Sequence, residues 1–238
     1  MARNLRIYTR KNLRSRKLGS FNLLSITNWL IIANVIFFII GTGLLMFNEE
    51  NINHLSLKPS DVLQGEYLWT FITSIFMHAG AFHLFVNMFV LFSLGNFCEK
   101  IIGRKRFFWF YIISGLLAGA VFVLLSGFFG NTELGAKIFE SPDLPGVGAS
   151  GAIFAIAGLF MVLLPKLKFT IIFFPFFSLP AYIMIPVVLF ATWIVSAGTG
   201  LPIGNSAHFG GFLAGVIYGS YLRNKYYRKV MALNMMIQ

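Results

Sequence analysis

Long stretches without a charged residue constrain this chain more than any other feature. The first covers residues 28–47, and a helix needs roughly 20 apolar residues to cross a bilayer core about 30 Å thick. It is too long for the apolar core of a signal peptide, and no small-residue cleavage site follows it. Charged residues make up only 11% of the chain, against about 25% in soluble domains. The sequence therefore predicts a polytopic membrane protein.

Six segments are predicted to cross the membrane as helices. They cover residues 28–47, 79–98, 107–129, 148–164, 180–196 and 206–222. Prolines 175, 180 and 186 interrupt the uncharged stretch 169–196, and proline ends or kinks a helix. We therefore expect an interfacial loop up to Leu179, followed by the fifth span. The expected fold class is an all-α polytopic membrane protein, a bundle of six transmembrane helices.

The basic residues indicate how these spans are oriented. Seventeen of the 19 Lys and Arg residues fall before span one, between spans two and three, after span four or after span six. Because cytoplasmic loops carry an excess of Lys and Arg, both termini are expected in the cytoplasm. The membrane domain, 28–222, would then lie between a basic N-terminal segment, 1–27, and a basic tail, 223–238.

Charge and cysteine content also bear on partners and cofactors. The net charge is +11, but the basic clusters stand beside apolar runs, so no nucleic-acid partner is expected. The basic N-terminus could instead contact anionic membrane lipids. Cys98 is the only cysteine, which excludes an intramolecular disulfide and a cysteine-based metal site. No metal or other cofactor is expected.

Polar side chains begin three of the predicted spans. His83 and Asn87 share a helical face at the start of span two, Ser150 opens span four, and His208 opens span six. All three spans run from outside to inside, so these residues should share the outer third of the membrane. Polar groups at that depth are costly and are candidates for function.

Small residues offer a way to bring these side chains together. Two helical stripes are formed by His208, Gly211, Gly215 and Gly219 on span six and by Gly151, Ala155 and Gly158 on span four. Small residues at this spacing let membrane helices approach closely. If the stripes face each other, Ser150 and His208 can come within about 3 Å, as an activated nucleophile requires.

Each residue alone also has a purely structural interpretation. Ser150 could serve packing, and His208 could meet water or a backbone carbonyl. His83 and Asn87 could form a polar clasp between helices, and His78 could belong to a loop. The G-x-S-x-G elbow of soluble hydrolases is absent, since residue 152 is Ala. Only the combination of these residues favours a catalytic interpretation.

Taken together, the motifs resemble those of the rhomboid family of intramembrane serine proteases. The matching segments are Gly148-Ala149-Ser150-Gly151 (GxSG), Ala207-His208 with Gly211 and Gly215 (AHxxGxxxG), His78 with His83 and Asn87 (HxxxxHxxxN), and Glu99 with Gly103 and Phe107. They occur in the family's order, and the resemblance covers roughly residues 28–222.

The resemblance implies a Ser–His dyad, with Ser150 as nucleophile and His208 as general base. It also implies an oxyanion hole formed by the Ser150 backbone N–H and the side chains of His83 and Asn87. The substrates implied are transmembrane proteins, cut in or near their membrane segments after lateral entry. Supporting positions would be His78, Gly148, Gly151, Phe154, Gly211 and Gly215.

Two positions depart from the family's pattern. Trp69-Thr70 stands where many members have Trp-Arg in the first outer loop, which puts the usual anchoring of that loop in doubt. Phe154 stands where some members have a Tyr beneath the catalytic histidine. A phenyl ring can still stack on His208, but it brings no hydroxyl.

Two other functions compete with proteolysis. One is a catalytically inactive rhomboid-like adaptor or chaperone that binds transmembrane helices. Such relatives usually lack the serine or the histidine, and both are present here. The other is a small transporter, but the two halves show no visible repeat and the predicted spans hold no acidic residue for ion coupling. The uncleaved first span and the short tails favour a prokaryotic inner membrane, with the site toward the outer face.

Overall fold

The structure is a computed structural model that describes residues 24–171 and 174–237. Most of the basic segment 1–27 therefore lies outside the described residues. The helices are α1 Ile26–Phe47, α2 Ile52–Leu55, α3 Pro59–Leu63, α4 Thr70–Phe76, α5 Ala81–Val90, α6 Asn96–Ile102, α7 Arg104–Phe129, α8 Glu133–Phe139, α9 Ser150–Leu163, α10 Ala181–Thr199, α11 Asn205–Lys225 and α12 Tyr227–Ile237. A 3₁₀ turn, Glu49–Asn51, precedes α2, and a π-helical segment, Leu91–Gly95, makes α5 and α6 one continuous helical unit.

Four helical units in the described part of the chain are long and apolar enough to cross a bilayer. They are α1, the continuous unit Ala81–Ile102, α7 and α10. The protein is therefore a mostly helical, multi-pass integral membrane protein. Helix α9 is apolar but has only 14 residues, and the 21 residues of α11 include glycines, a histidine and C-terminal basic residues.

The short helix α9 occupies the interior of the bundle. Its residues Ala155, Ile156, Leu159 and Phe160 are fully buried, and α7 and α11 pack on it. A helix covered by other helices has no lipid-facing side that must be apolar along its whole length. Helix α9 is therefore a core helix in spite of its short length, and α11 packs on it with a buried face that carries Gly211, Gly215 and Gly219.

The segment between α9 and α10 differs from the sequence expectation. An interfacial loop was expected there, but an antiparallel hairpin pairs β1, Lys168–Ile171, with β2, Phe174–Pro180. The described fold is thus mostly helical, as expected, with one two-stranded hairpin added. Aromatic and β-branched residues such as Phe169, Thr170 and Phe177 favour extended backbone. The prediction gave weight to the prolines and missed this propensity.

A buried carboxylate joins the start of α1 to the end of α6. Glu99 accepts hydrogen bonds from the backbone N–H groups of Ile26 (3.0 Å) and Thr27 (2.9 Å) and from the Thr27 hydroxyl (3.0 Å). The Ser25 side chain caps the same turn by accepting from the Asn28 N–H. These bonds satisfy donors that the first turn of any helix leaves unpaired.

Candidate active site

Ser150 is the first residue of α9 and follows an irregular segment held by backbone hydrogen bonds. Gly146 pairs with Leu57 in both directions, at 2.8 and 2.9 Å, and the Gly148 N–H donates to the Ser74 carbonyl at 2.8 Å. Gly148 has φ +127°, which residues with a Cβ rarely adopt. This turn places Ser150 at a helix N-terminus, where backbone N–H groups lack partners within the helix.

His208 lies in the first turn of α11 and reaches Ser150. Its Nε2 is 2.8 Å from the Ser150 Oγ. The Phe154 ring, one turn along α9 from Ser150, stacks on the imidazole with centroids 4.4 Å apart and planes 24° from parallel. His208 is almost fully buried. Serine hydroxyl and imidazole therefore have the spacing of a nucleophile and its base.

The two small-residue stripes face each other, and this contact holds the Ser150–His208 pair. A Cβ added at Gly211 would overlap the Gly151 carbonyl, and one at Gly215 would overlap the Ala155 carbonyl. From the other side, a Cβ at Gly158 would lie 2.5 Å from the Phe212 carbonyl oxygen. The backbones of α9 and α11 are thus in direct contact, as small-xxx-small surfaces permit.

His83 approaches Ser150 from the side of Gly148. A Cβ built on Gly148 would meet the His83 Nε2 at 3.1 Å and the Ser150 Oγ at 3.7 Å. The imidazole therefore packs against the glycine backbone next to the hydroxyl. Its Nδ1 accepts the Ala79 backbone N–H at 3.4 Å, so the ring proton of a neutral His83 resides on Nε2, which can act as a donor.

Asn87 and His78 complete the polar cluster on this side. Asn87 is buried, and its amide nitrogen donates to the His83 carbonyl at 2.9 Å, which leaves a second N–H hydrogen on the same nitrogen. The buried His78 packs edge-on against His83, with centroids 5.1 Å apart, and its Nδ1 is 3.3 Å from the Phe76 carbonyl oxygen. His78 is therefore a neighbour of His83 rather than of Ser150.

A cavity of about 350 Å³ adjoins this cluster on its α1 side. Its lining includes Phe38 and Thr42 of α1, Met77, His78 and Val147. The cavity borders His78 but not the pair formed by Ser150 and His208. In the described part of the chain, no group of three or more His, Cys, Asp or Glu side chains is arranged to hold a metal ion.

The segment between α1 and α4, predicted to be the first outer loop, is anchored by an aromatic cluster. The Trp69 indole donates to the His54 carbonyl at 3.2 Å, and the two rings stack 5.9 Å apart. Tyr67 packs edge-on against both rings. The buried Thr70 hydroxyl donates to the Tyr67 carbonyl at 2.6 Å. Thr70 thus fixes the local turn, and this loop has anchors that do not involve an arginine at position 70.

Sequence reasoning missed two groups that hold the site in place. The Ser74 carbonyl binds the Gly148 N–H, as described above. Glu140, in the loop after α8, accepts the backbone N–H groups of Asn205 and Ser206 at the start of α11. Nothing in the residue pattern pairs positions 140 and 205, which lie 65 residues apart. The sequence offered only a general signal: a carboxylate that is buried needs hydrogen-bond donors, because burying an unpaired charge is costly.

Comparison with known proteins places this site in a family. A family model described as "Rhomboid domain" matches residues 65–225. "Rhomboid protein 1, mitochondrial" of Saccharomyces cerevisiae is 29% identical over 197 residues, covering 79% of this chain and 53% of the yeast protein. "RHOMBOID-like protein 5" of Arabidopsis thaliana is 31% identical over 167 residues, or 70% of this chain and 48% of the plant protein.

A bacterial protein is similar over a shorter stretch. A Bacillus subtilis protein named as a candidate rhomboid protease is 38% identical over 104 residues, which covers 43% of this chain and 45% of that protein. The chain thus spans about half the length of these three relatives. The family model covers well over half of the chain, including every motif residue from His78 to Gly215. The protein belongs to the rhomboid family.

Proposed function

We propose that this protein is an intramembrane serine endopeptidase that hydrolyses peptide bonds in or near the transmembrane segments of membrane-protein substrates. The observation that carries the proposal is the 2.8 Å contact between the Ser150 Oγ and the His208 Nε2. A serine hydroxyl is a weak nucleophile unless an adjacent base takes its proton. Family membership supports the same conclusion, since rhomboids are generally intramembrane serine proteases.

In this proposal, His208 transfers protons in both halves of the reaction. Its Nε2 accepts the hydroxyl proton as the Ser150 Oγ adds to the scissile carbonyl carbon. The resulting imidazolium gives that proton to the leaving amine as the C–N bond breaks, which leaves an acyl-serine. His208 then takes a proton from water, the hydroxide oxygen adds to the acyl carbon, and the proton returns to the Ser150 Oγ as the acid is released. The stacked Phe154 ring restricts the imidazole to the plane that this transfer needs.

Three groups are proposed to stabilise the negative oxygen that forms after Ser150 adds. They are the Ser150 backbone N–H, the Nε2 proton of His83 and the remaining amide hydrogen of Asn87. All three are uncharged donors. A cationic donor at membrane depth would cost more to bury than these groups do, and preorganised neutral donors suffice to stabilise an oxyanion.

The membrane arrangement proposed for this function has six spans, with α9 and α11 added to the four long apolar units. Both termini lie in the cytoplasm, and Ser150 faces a space open to the outer side. The burial of α9 and of the glycine-bearing face of α11 supports the count, and the distribution of Lys and Arg supports the orientation. The expected prokaryotic cell membrane stays a prediction, because the relatives include proteins named mitochondrial and one from Bacillus.

Labelling and cleavage assays test the proposal directly. The wild-type protein should react with a fluorophosphonate and should cleave a single-span substrate reconstituted with it. Ser150→Ala and His208→Ala should each abolish cleavage while leaving thermal unfolding nearly unchanged. A matched control is Ser93→Ala, since Ser93 is an exposed serine of the same bundle whose hydroxyl donates to the Phe89 carbonyl of its own helical unit.

The same assays separate proteolysis from helix binding by an adaptor. An adaptor would bind the substrate helix equally well before and after Ser150→Ala, and its wild-type form would neither cleave nor label. Turnover retained in Ser150→Ala would remove the dyad assignment.

A further inference from the structure

The outer end of helix α11 is capped by a side chain from a distant loop. The residue before the helix, Gly204, has no side chain that could cap it. Instead, the Asn205 N–H donates to the Glu140 Oε1 at 2.7 Å and the Ser206 N–H to the Glu140 Oε2 at 3.4 Å. The adjacent Phe139 carbonyl accepts the Ser206 hydroxyl at 3.2 Å. One short segment thus holds the first turn of α11 by three bonds.

That first turn carries His208. The His208 N–H donates to the Gly204 carbonyl at 3.0 Å, so His208 lies one helical turn from the capped end of α11. The N-terminus of a helix carries a partial positive charge, which disfavours a cation nearby. A carboxylate on the same N–H groups offsets that charge. The proposed dyad has no aspartate, so this carboxylate is a negative group placed to favour a transient imidazolium.

The burial and the backbone conformation of Glu140 are both energetically unfavourable. A residue that served folding alone would not require them. Its side chain is buried, and among the described residues no Lys or Arg forms an ion pair with it. Burial raises the pKa of its carboxyl above the ordinary value, although the hydrogen bonds from residues 205 and 206 act to lower that pKa. The backbone has φ +61°, which is rare for a residue with a Cβ. Gly130 packs against the Glu140 backbone carbonyl, with no room for a Cβ.

We propose that Glu140 is a positioning residue for His208, acting through the N-terminus of α11 by fixing its first turn and by placing a negative charge at its positive end. This role rests on the proposed function of the Ser150–His208 pair. It predicts that loss of the charge should lower the rate of the chemical step without weakening substrate binding or the fold.

The test compares Glu140→Gln, Glu140→Asp and wild type in the full-length protein. Gln keeps an oxygen acceptor and the size of the side chain but loses the charge, whereas Asp keeps the charge. Glu140→Gln should lower kcat about 3- to 30-fold, leave KM within about twofold, and slow fluorophosphonate labelling by a similar factor. Asp should recover more of the rate than Gln. A matched control is Glu133→Gln at the start of α8, an exposed residue that forms an ion pair with Lys137 and should leave kcat unchanged.

Stability and exchange measurements separate this role from a merely structural one. Because Gln keeps an oxygen that can accept the Asn205 N–H, Glu140→Gln should lower the unfolding temperature much less than Glu140→Ala. Hydrogen exchange at the Asn205 and Ser206 amides should accelerate in Glu140→Ala but little in Glu140→Gln. A Gln variant with wild-type kcat, or one whose loss of rate matches a loss of folded protein, would overturn the proposal. A wild-type protein that neither labels nor cleaves would refute the proposed function and with it this role.

Discussion

The contact between the backbones of α9 and α11 yields the sharpest prediction. Gly211 lies against the Gly151 carbonyl with no room for a Cβ, and Gly151 is bonded to Ser150 in the chain. In Gly211→Ala the added methyl group must push the two helices apart at the level of the dyad. We expect a loss of activity that comes from geometry, since no functional group is removed.

The magnitude follows from the contact distances. Ordinary contact of a Cβ begins at 3.4 Å, so even the 2.5 Å approach at Gly158 would require a shift of about 0.9 Å. The overlap at Gly211 is more severe. A misplacement of about 1 Å at a reacting centre can cost about 10²-fold in rate, and overpacking typically costs about 1–3 kcal/mol of stability. Gly211→Ala should therefore lower kcat about 100-fold and lower the unfolding temperature.

The assay is steady-state cleavage of a single-span substrate in detergent, with thermal unfolding of each variant. Gly43→Ala is the matched control, because Gly43 is helical and a Cβ there meets nothing within 4 Å. It should keep its rate and gain slightly in stability from the better helix propensity of Ala. Wild-type kcat in Gly211→Ala would refute the claim that direct backbone contact sets the distance between Ser150 and His208.

Two further predictions concern the oxyanion donors and the junction of α1 with α6. Asn87→Ala should lower kcat about 10²–10³-fold, because the other oxyanion donors remain. KM should change little, because the negative charge on the substrate oxygen exists only beyond the ground state. A near-normal kcat would mean that the His83–Asn87 pair is only a structural clasp. Glu99→Ala should cost about 1–3 kcal/mol in unfolding experiments, because it leaves the buried Thr27 N–H and the part-buried Ile26 N–H without their acceptor, whereas the exposed Arg104 side chain can be solvated. The rate per folded molecule should stay unchanged, since Glu99 lies at the far end of the helical unit from Asn87, and a loss of rate in fully folded Glu99→Ala would contradict this assignment.

The meeting of Ser150 and His208 could be predicted because it depends on patterns that run along helices. The spacing of Gly211 and Gly215 defines one face of α11, and the spacing of Gly151 and Ala155 defines one face of α9. The span at 206–222 could be predicted because it is uncharged, although its glycines and His208 lower its hydropathy.

The parts that could not be predicted depend on contacts between irregular segments. Glu140 reaches α11 from a loop whose backbone conformation no residue pattern specifies, and the Ser74 carbonyl binds Gly148 through atoms that every residue possesses. The hairpin between α9 and α10 was missed for a different reason. Its residues carry two conflicting signals, the prolines and the high β-propensity. The structure pairs the two segments as antiparallel strands, with Lys168 opposite Pro180.

The length of α9 links the fold to the proposed chemistry. Fourteen residues extend only about 21 Å, so in the six-span arrangement Ser150 begins well below the outer surface of a bilayer core of about 30 Å. The chain must then reach that depth through non-helical backbone, which lipid does not tolerate unless its polar groups are satisfied or it lines a cavity. The bonds of Gly146 to Leu57 and of Gly148 to Ser74 satisfy this requirement. They leave the N–H groups of the first turn of α9 available beside the Ser150 hydroxyl, which is where a substrate carbonyl would need them.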